Sequence, residues 1–341
     1  MSKVQKRKAY AAAGVDIDLA NRVKKGLQEK VRTTFGPEVL GRIGGFGGLF
    51  KANFKGMKEP VLVSSIDGVG TKLKVAIALG RHSTIAQDLV NHCINDIAVT
   101  GAQPLFFLDY IGAERLDPTV FDQLVSGFTK ACKEGGCALI GGETAQLPGL
   151  YHSGEYDLVG CIVGVVDRTR LLDGRRIVPS DVVIGLASNG LHTNGYSLAR
   201  KVLLDRMHFD LLKKVDGIAR PLGEELLRVH KNYQTLIASI APGRIKGAAH
   251  ITGGGIVDNL PRILPPVCDA LIETHSWNVP AIFRLIQRGG DISREEMYQV
   301  FNMGIGMVLV VSKSNAEEVL AESKGKAIGR ITPGSGKVLL A

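Results

Sequence analysis

Six glycine clusters, GRIGGFGG, DGVG, EGG, IGGE, TGGGI and GSG, interrupt the periodic stretches of a 341-residue chain at no fixed spacing. The lack of a period rules out a solenoid. Glycine supplies 42 residues, about 12% against the roughly 7% usual in globular chains. Such a surplus costs folding entropy, so it marks tight turns or close approach of backbone to a ligand. Between the clusters, apolar β-branched runs alternate with helical spacing. VLVSSI (61–66), LFFLDYI (105–111), CALI (137–140) and DLVGCIVGVV (157–166) read as strands, with helices near 83–100 and 117–134, the second opened by Asp117 and Pro118. Charge, Gly and Pro break the pattern in DRTRLLDGRRIVPSD (167–181), a candidate boundary. The alternation then resumes: strand VVIGLAS, a helix from Tyr196 to about Arg206, a long helix from about Gly223 to Ser239, a strand leading to His250, CDALIE, helices around VPAIFRLIQ and from Ser293, and late strands GMVLVVS, KAIGRI and KVLL. An α/β chain of two domains with mixed sheets is the economical reading, divided as 1–169 and 170–341.

Several function classes drop out early. No apolar run approaches the ~18 residues of a membrane span, and MSKVQKRK at the start lacks the apolar region of a secretory signal, so a cytoplasmic protein is expected. The five cysteines form no C-x-x-C pair and indicate neither a disulfide frame nor a zinc site. A formal charge of +9 suits nucleic acid or a phosphorylated small molecule, but the 6% aromatic content and absent zinc-finger spacing argue against nucleic acid. Part of the excess, Lys3 to Lys8 and Arg22 to Arg32, reads as a solvated tail and helix face.

In SSIDGVGTKLKVA (64–76) an aspartate ends an apolar run, and two glycines, a threonine and a lysine follow. The spacing is neither a Walker A loop, since Thr71 precedes Lys72, nor a dinucleotide fingerprint, since no third glycine follows. Asp67 is a hard oxygen donor of the kind Mg2+ selects, so the turn is expected to hold a metal and its phosphates together.

The next helix, STIAQDLVNHCINDIAVTGAQP (83–104), carries Leu89, Val90, Cys93, Ile94 and Ile97 on one face and Asp88, Asn91, His92 and Asn95 on the other, with Asp96 at its flank. A solvated face carries Lys, Glu or Arg, and from Ala86 to Pro104 there is none. The polar face is therefore expected to look into a site. For Asn91 and His92 singly a polar interhelical network is the plainer reading; for Asp96 the functional one leads. In CALIGGETAQLPGLY, Gly141 and Gly142 present Glu143 at a strand end, and with Asp67 and Asp96 it makes three carboxylates for Mg2+ around a polyphosphate. Further on, SNGLHTNGYS sets His192 and Asn194 between glycines, and AAHITGGGIVDN sets His250 and Thr252 before Gly253, Gly254 and Gly255, a candidate phosphate seat.

Seven motifs in order, AGVDID (13–18), GGFGG (44–48), DGVGTK (67–72), NDIAVTGAQPLFFLDY (95–110), GGETAQLPGLY (141–151), HTNGYSL (192–198) and HITGGG (250–255), resemble the phosphoribosylformylglycinamidine cyclo-ligase (aminoimidazole ribonucleotide synthetase) family from about Tyr10 to Met307. Relatives on the same scaffold differ where it matters: selenophosphate synthetase has a reactive residue near its start, whereas the first cysteine here is Cys93. The resemblance implies an N-terminal domain whose strands join a second subunit in a dimeric barrel, a C-terminal α/β domain, and a cleft between them. It also implies a homodimeric enzyme that takes ATP and Mg2+ and closes the ring of formylglycinamidine ribonucleotide by phosphorylating the amide oxygen. Carried over motif by motif, Asp67, Asp96 and Glu143, with Asp88 or Asn95, would hold Mg2+. Gly44, Gly45, Gly47, Gly48, Asp67, Gly68, Gly70, Thr71 and Lys72 would face ATP. Gly142, Glu143, Asn194, His250, Thr252 and Gly253 to Gly255 would face the substrate, with His192, Asp96 and Lys72 at the chemistry.

Overall fold

Strand β1 (Pro60–Gly68) alternates exposed and half-buried residues along nearly its whole length, the pattern of a strand covered on one face. It is one edge of a four-stranded sheet, order β1–β4–β2–β3, with β2 at Gln103–Ala113, β3 at Ala138–Gln146 and β4 at Tyr156–Asp167. Only β2 and β3 run parallel, and helix α3 (Pro118–Gly135) makes their crossover. In this computed structural model the described residues are 26, 28–41, 44–240 and 242–341. The motif at 13–18, the basic tail and part of the helix face read at 22–32 lie outside them.

Helices α1 (Lys72–Leu79) and α2 (Ser83–Ala98) connect β1 to β2, and α2 lies on the covered face of the sheet beside α3. The two helices meet closely because Gly127 has no side chain: a Cβ there would stand 2.1 Å from Ser83 O. Asp117 caps α3 as its position before Pro118 predicts, accepting from the N–H groups of Thr119 and Val120.

After a linker the second sheet has six strands in the order β10–β7–β9–β5–β8–β6, built from β5 (Val182–Ala187), β6 (Ile245–His250), β7 (Cys268–Ile272), β8 (Ile305–Val311), β9 (Lys326–Pro333) and β10 (Val338–Leu340). Strand β8 is buried at every residue, as an unbroken apolar run in a sheet covered on both faces must be. Short helices α4 (Tyr196–Arg200), α5 (Leu222–Leu226), α6 (Gln234–Ser239) and α7 (Gly255–Asn259) follow β5 and β6. One continuous apolar cluster joins the two halves, from Val69, Leu73 and Leu89 to Leu191, Tyr196 and Leu222. The halves are mixed α/β units, and no sheet closes on itself among the described residues.

Candidate active site

Asp88, Asn91 and Asn95 recur at helical spacing on α2, and the structure sets them against the backbone of residues 228–233. Asp88 Oδ1 accepts the His230 N–H at 2.6 Å and Asn91 donates to His230 O at 2.8 Å. Asn95 donates to Lys231 O at 2.8 Å and accepts the Tyr233 N–H at 2.9 Å. Groups bound this way are not available to a helical ladder, so the helix expected from Gly223 to Ser239 is two short ones, α5 and α6, joined by an extended strap. This corrects the metal reading of Asp88 and Asn95. Both carboxylate oxygens of Asp88 are committed, one to His230 and one to Lys72, and both polar atoms of the Asn95 amide to the strap.

Lys72 departs from its expected place as well. Its side chain is wholly buried, 2.8 Å from Asp88 Oδ2, and donates to the carbonyls of His192 and Arg228. It therefore ties α1 to the second half and does not reach toward phosphates. Burial lowers the Lys72 pKa and raises that of Asp88 to about 6, each against the pull of the partner charge.

One turn along α2, the acids do converge. His92 Nε2 lies 2.7 Å from Asp67 Oδ2 at the end of β1 and 3.7 Å from Asp96 Oδ2. Ser65 Oγ donates to Asp96 Oδ2 at 3.0 Å, while His250 Nδ1 lies 2.8 Å from Asp96 Oδ1. Burial pushes both acids up, but the imidazoles outweigh it and hold each below the usual carboxylate range; the Gly68 N–H assists at Asp67 and Ser65 at Asp96. Burial works against charge on His92, yet Asp67, Asp96 and Asp88 raise its pKa above the ordinary histidine value. The result is a pair of ionised carboxylates, 41% and 26% exposed, that share His92 Nε2 as a neighbour. Their oxygens also have partners, Gly68 N–H and His92 at Asp67 and Ser65 and His250 at Asp96, but unlike wholly buried Asp88 both acids reach the surface, and such hard oxygen donors fit Mg2+, which keeps waters and phosphate oxygens in its remaining positions.

Glu143 does not join them. Asp67 stands in rank with Gly160, Asp109 and Gly142 across the sheet, whereas Glu143 is one residue further, paired with Tyr110. Successive side chains alternate faces, so Glu143 is on the open face of the sheet, and its strand is three spacings, about 14 Å, from that of Asp67. The Gly142 backbone serves a different acid: a Cβ there would stand 2.4 Å from Asp109 Oδ1. Asp109, inside the NDIAVTGAQPLFFLDY motif, shares the covered face with Asp67, a placement visible only from the register.

From His92 the contacts continue into the second half. His92 Nδ1 lies 2.9 Å from Thr193 Oγ1, Thr193 Oγ1 is 3.4 Å from His230 Nδ1, and His230 Nε2 is 2.9 Å from His250 Nε2. His230 escaped the sequence reading because it falls in RVHKNYQT, which carries no glycine or cap, and only its fixed strap brings it to the cluster. His192 is 1% exposed, stacked on His230 with ring centroids 3.9 Å apart, and accepts the Asn189 N–H at Nε2, which places its own proton on a buried Nδ1 without a partner. Burial, reinforced by nearby cationic groups, drops its pKa well below the histidine norm. It holds a turn at φ +63°.

Asn194, beside Thr193, meets the glycine motif: a Cβ on Gly253 would stand 3.1 Å from Asn194 Oδ1. Asn259 fixes that turn by donating to Gly253 O and Gly255 O, with Thr252 Oγ1 donating to Asn259 Oδ1. At the other end, Thr71 is exposed and 2.9 Å from Ser197 Oγ. Gly44, Gly45 and Gly47 lie in an exposed loop, and Gly48 passes so near Ile140 that a Cβ would stand 2.6 Å from its Cδ1.

Residues 53–166 match the family model described as AIR synthase related protein, N-terminal domain, and residues 178–340 match its C-terminal counterpart. The chain is 50% identical over 322 residues to phosphoribosylformylglycinamidine cyclo-ligase of Syntrophotalea carbinolica, covering 94% of this chain and 92% of that one. It is also 50% identical over 317 residues to the protein of that name from Geobacter metallireducens, covering 93% and 91%. Among solved structures it resembles thiamine-monophosphate kinase from Stenotrophomonas maltophilia, with TM-score 0.67 and 19% identity over 96% of each chain. Hydrogenase maturation protein HypE in complex with ATP gives TM-score 0.67 and 16% identity over 94% and 90%. Likeness at that identity shows the shared fold.

Proposed function

The chain belongs to the phosphoribosylformylglycinamidine cyclo-ligase family of purine biosynthesis, and from that membership we propose how its residues divide the work of an ATP-dependent ring closure. The reaction converts formylglycinamidine ribonucleotide to 5-aminoimidazole ribonucleotide with ADP and phosphate as by-products. The amide oxygen takes the γ-phosphoryl group, and the amidine nitrogen then attacks the same carbon. Phosphorylation comes first because an amide oxygen leaves poorly and phosphate leaves well.

Asp67 and Asp96 are the residues that would hold Mg2+, and the ion would neutralise charge on the ATP phosphates. The remaining ATP contacts fall to the turn Gly68 to Thr71 and the loop Gly44 to Gly48. Asn194, Thr252 and the N–H groups of Gly253 and Gly254 seat the ribose phosphate of the substrate, across from the carboxylates. His250 holds Asp96 from the second half, and we assign it the proton transfer near the reacting amide, passed through its contacts to Asp96 and His230; His192 keeps the adjoining turn. Glu143 is left to the open face of the first sheet. That face exposes Leu62 and Ile66, and a second copy of the chain covers it in the proposed homodimer, closing a barrel between the two sheets. A cytoplasmic setting accords with the absence, among the described residues, of any helix long and apolar enough to cross a membrane.

One observation carries this reading: Asp67 and Asp96, from β1 and α2, meet at His92 beside the Thr193–Asn194 turn of the second half. The test is to incubate purified protein with formylglycinamidine ribonucleotide, ATP and Mg2+ and assay the aminoimidazole product. Complete ATP hydrolysis without that product would sink the ring-closing assignment and favour a kinase.

A further inference from the structure

A second cavity, about 480 Å3, lies beside the linker between the two sheets and shares no lining residue with the carboxylate and histidine cluster. Its walls come from three sources: the end of α2 and start of β2, the linker at 168–176, and α6 with the approach to β6. Four arginines line it, Arg168, Arg170, Arg175 and Arg176, against a single acid, Asp173. Their partners are few. Arg168 is held 2.7 Å from Glu59, Arg175 Nε is 3.3 Å from Asp173, and Arg176 donates across to Ile245 O at 3.3 Å. The Arg170 side chain has no hydrogen bond or ion pair among the described residues.

Glu59 and Asp173 neutralise Arg168 and Arg175, which leaves Arg170 and Arg176 without an acidic partner beside the hollow, and guanidinium groups suit phosphate because they offer paired donors in a planar fork. The lining also includes apolar Ala98, Ile237 and Ile240, from α2 and from α6 and its C-terminal end. The volume is within the range of small-molecule pockets, roughly 300–1,000 Å3. A phosphate at one end with a flat or apolar group at the other is the chemistry such walls accept.

We propose that this linker cavity is a second binding site, separate from the catalytic centre, for a phosphate monoester of nucleotide size such as a nucleoside monophosphate. Its phosphate lies between Arg170 and Arg176, and its ring rests on Ile237. Because the linker is pinned to the first half through Leu172 N–H to Thr100 O (3.0 Å) and to the second through Arg176, the ligand touches both halves at once.

The test is equilibrium dialysis of the full chain with AMP as probe, in buffer at physiological salt. A saturating non-hydrolysable ATP analogue keeps the ATP site filled. The site predicts one AMP bound per chain, with affinity falling tenfold or more in Arg170→Gln and further in the Arg170→Gln/Arg176→Gln pair, and unchanged in Asp67→Asn. Since the Arg170 side chain makes no hydrogen bond or ion pair among the described residues, Arg170→Gln leaves the fold and the turnover measured without AMP as they are. No AMP binding to the wild type, or binding that ignores Arg170→Gln, overturns the proposal. Displacement of AMP by inorganic phosphate at equal concentration overturns the part of it that assigns the apolar lining to a ring.

Discussion

Lys72 Nζ and Asp88 Oδ2 stand 2.8 Å apart with neither side chain exposed. Around that pair the protein fastens its two halves. Lys72 also holds the carbonyls of His192 and Arg228, and Asp88 also holds the His230 N–H, so one buried ion pair fixes the turn and the strap that carry His192, Thr193 and His230 to the site. Removing either partner leaves an uncompensated charge in the interior, which costs more than the pair itself contributes.

Lys72→Met is therefore expected to lower stability by about 3–5 kcal/mol, read from denaturant midpoints. The double variant Lys72→Met/Asp88→Asn should recover a large part of that loss, because the stranded carboxylate is gone. A Lys72→Met protein of normal stability with a raised KM for ATP would return Lys72 to the phosphates.

Asp67→Asn removes one of the two carboxylates that meet at His92, and turnover should fall by about 10²-fold or more, the scale of a lost electrostatic contact to the reacting groups. Glu143→Gln, on the other face of the sheet, should fall far less. Steady-state rates at saturating Mg2+ with thermal midpoints as a folding control decide it; equal losses in the two variants would place Glu143 back among the metal ligands.

Much of the scaffold was readable because strand alternation and helix caps are local: β1, β2, β4, α2 and α3 begin and end within a few residues of where apolar period and Asp117–Pro118 place them. The polar face of α2 was readable as unusual, yet its purpose was split. Asp88, Asn91 and Asn95 serve as hydrogen-bond partners for a backbone more than 130 residues away, and Asp96 with His92 serves the site. Nothing local distinguishes an aspartate that binds a distant N–H from one that binds a metal. Glu143 fails for a related reason. The register of β3, which slips where β2 passes from Phe107 to Leu108, decides its face, and register is a property of paired strands.

Acid sensitivity should trace to the linker. The Asp167 carboxylate accepts the Thr169 hydroxyl and N–H and the Lys58 N–H, and these bonds pull its pKa to about 2 from 3.8. A folded pKa below the unfolded one gives stability that is present above the unfolded value and disappears as pH falls through the folded one. Between about pH 4 and pH 2 the wild type should thus lose urea resistance faster than Asp167→Asn. Parallel losses would show that other carboxylates carry the effect.

Ile66 and Leu62 are 68% and 63% exposed on the open face of the first sheet. Placing a charge there, as in Ile66→Asp, should convert the proposed dimer to monomer in sedimentation velocity while leaving the secondary structure intact. A wild type that sediments as a monomer at micromolar concentration would remove the second copy from that face.

Two histidines of the second half, His192 and His250, can be separated by kinetics. His250 touches Asp96, one of the converging acids, so His250→Gln should lower kcat by about 10²-fold, the loss typical of a proton-moving group. His192 touches no acid; burial keeps it neutral, and its part is to hold a turn at φ +63° and to stack on His230. Asparagine tolerates that left-handed backbone better than alanine, so His192→Asn should be more stable than His192→Ala, with kcat per folded molecule within about tenfold of wild type in both, well short of the loss of a proton-transfer group. A fully folded His192→Asn with kcat reduced as far as His250→Gln would make His192 the proton carrier and reverse the assignment.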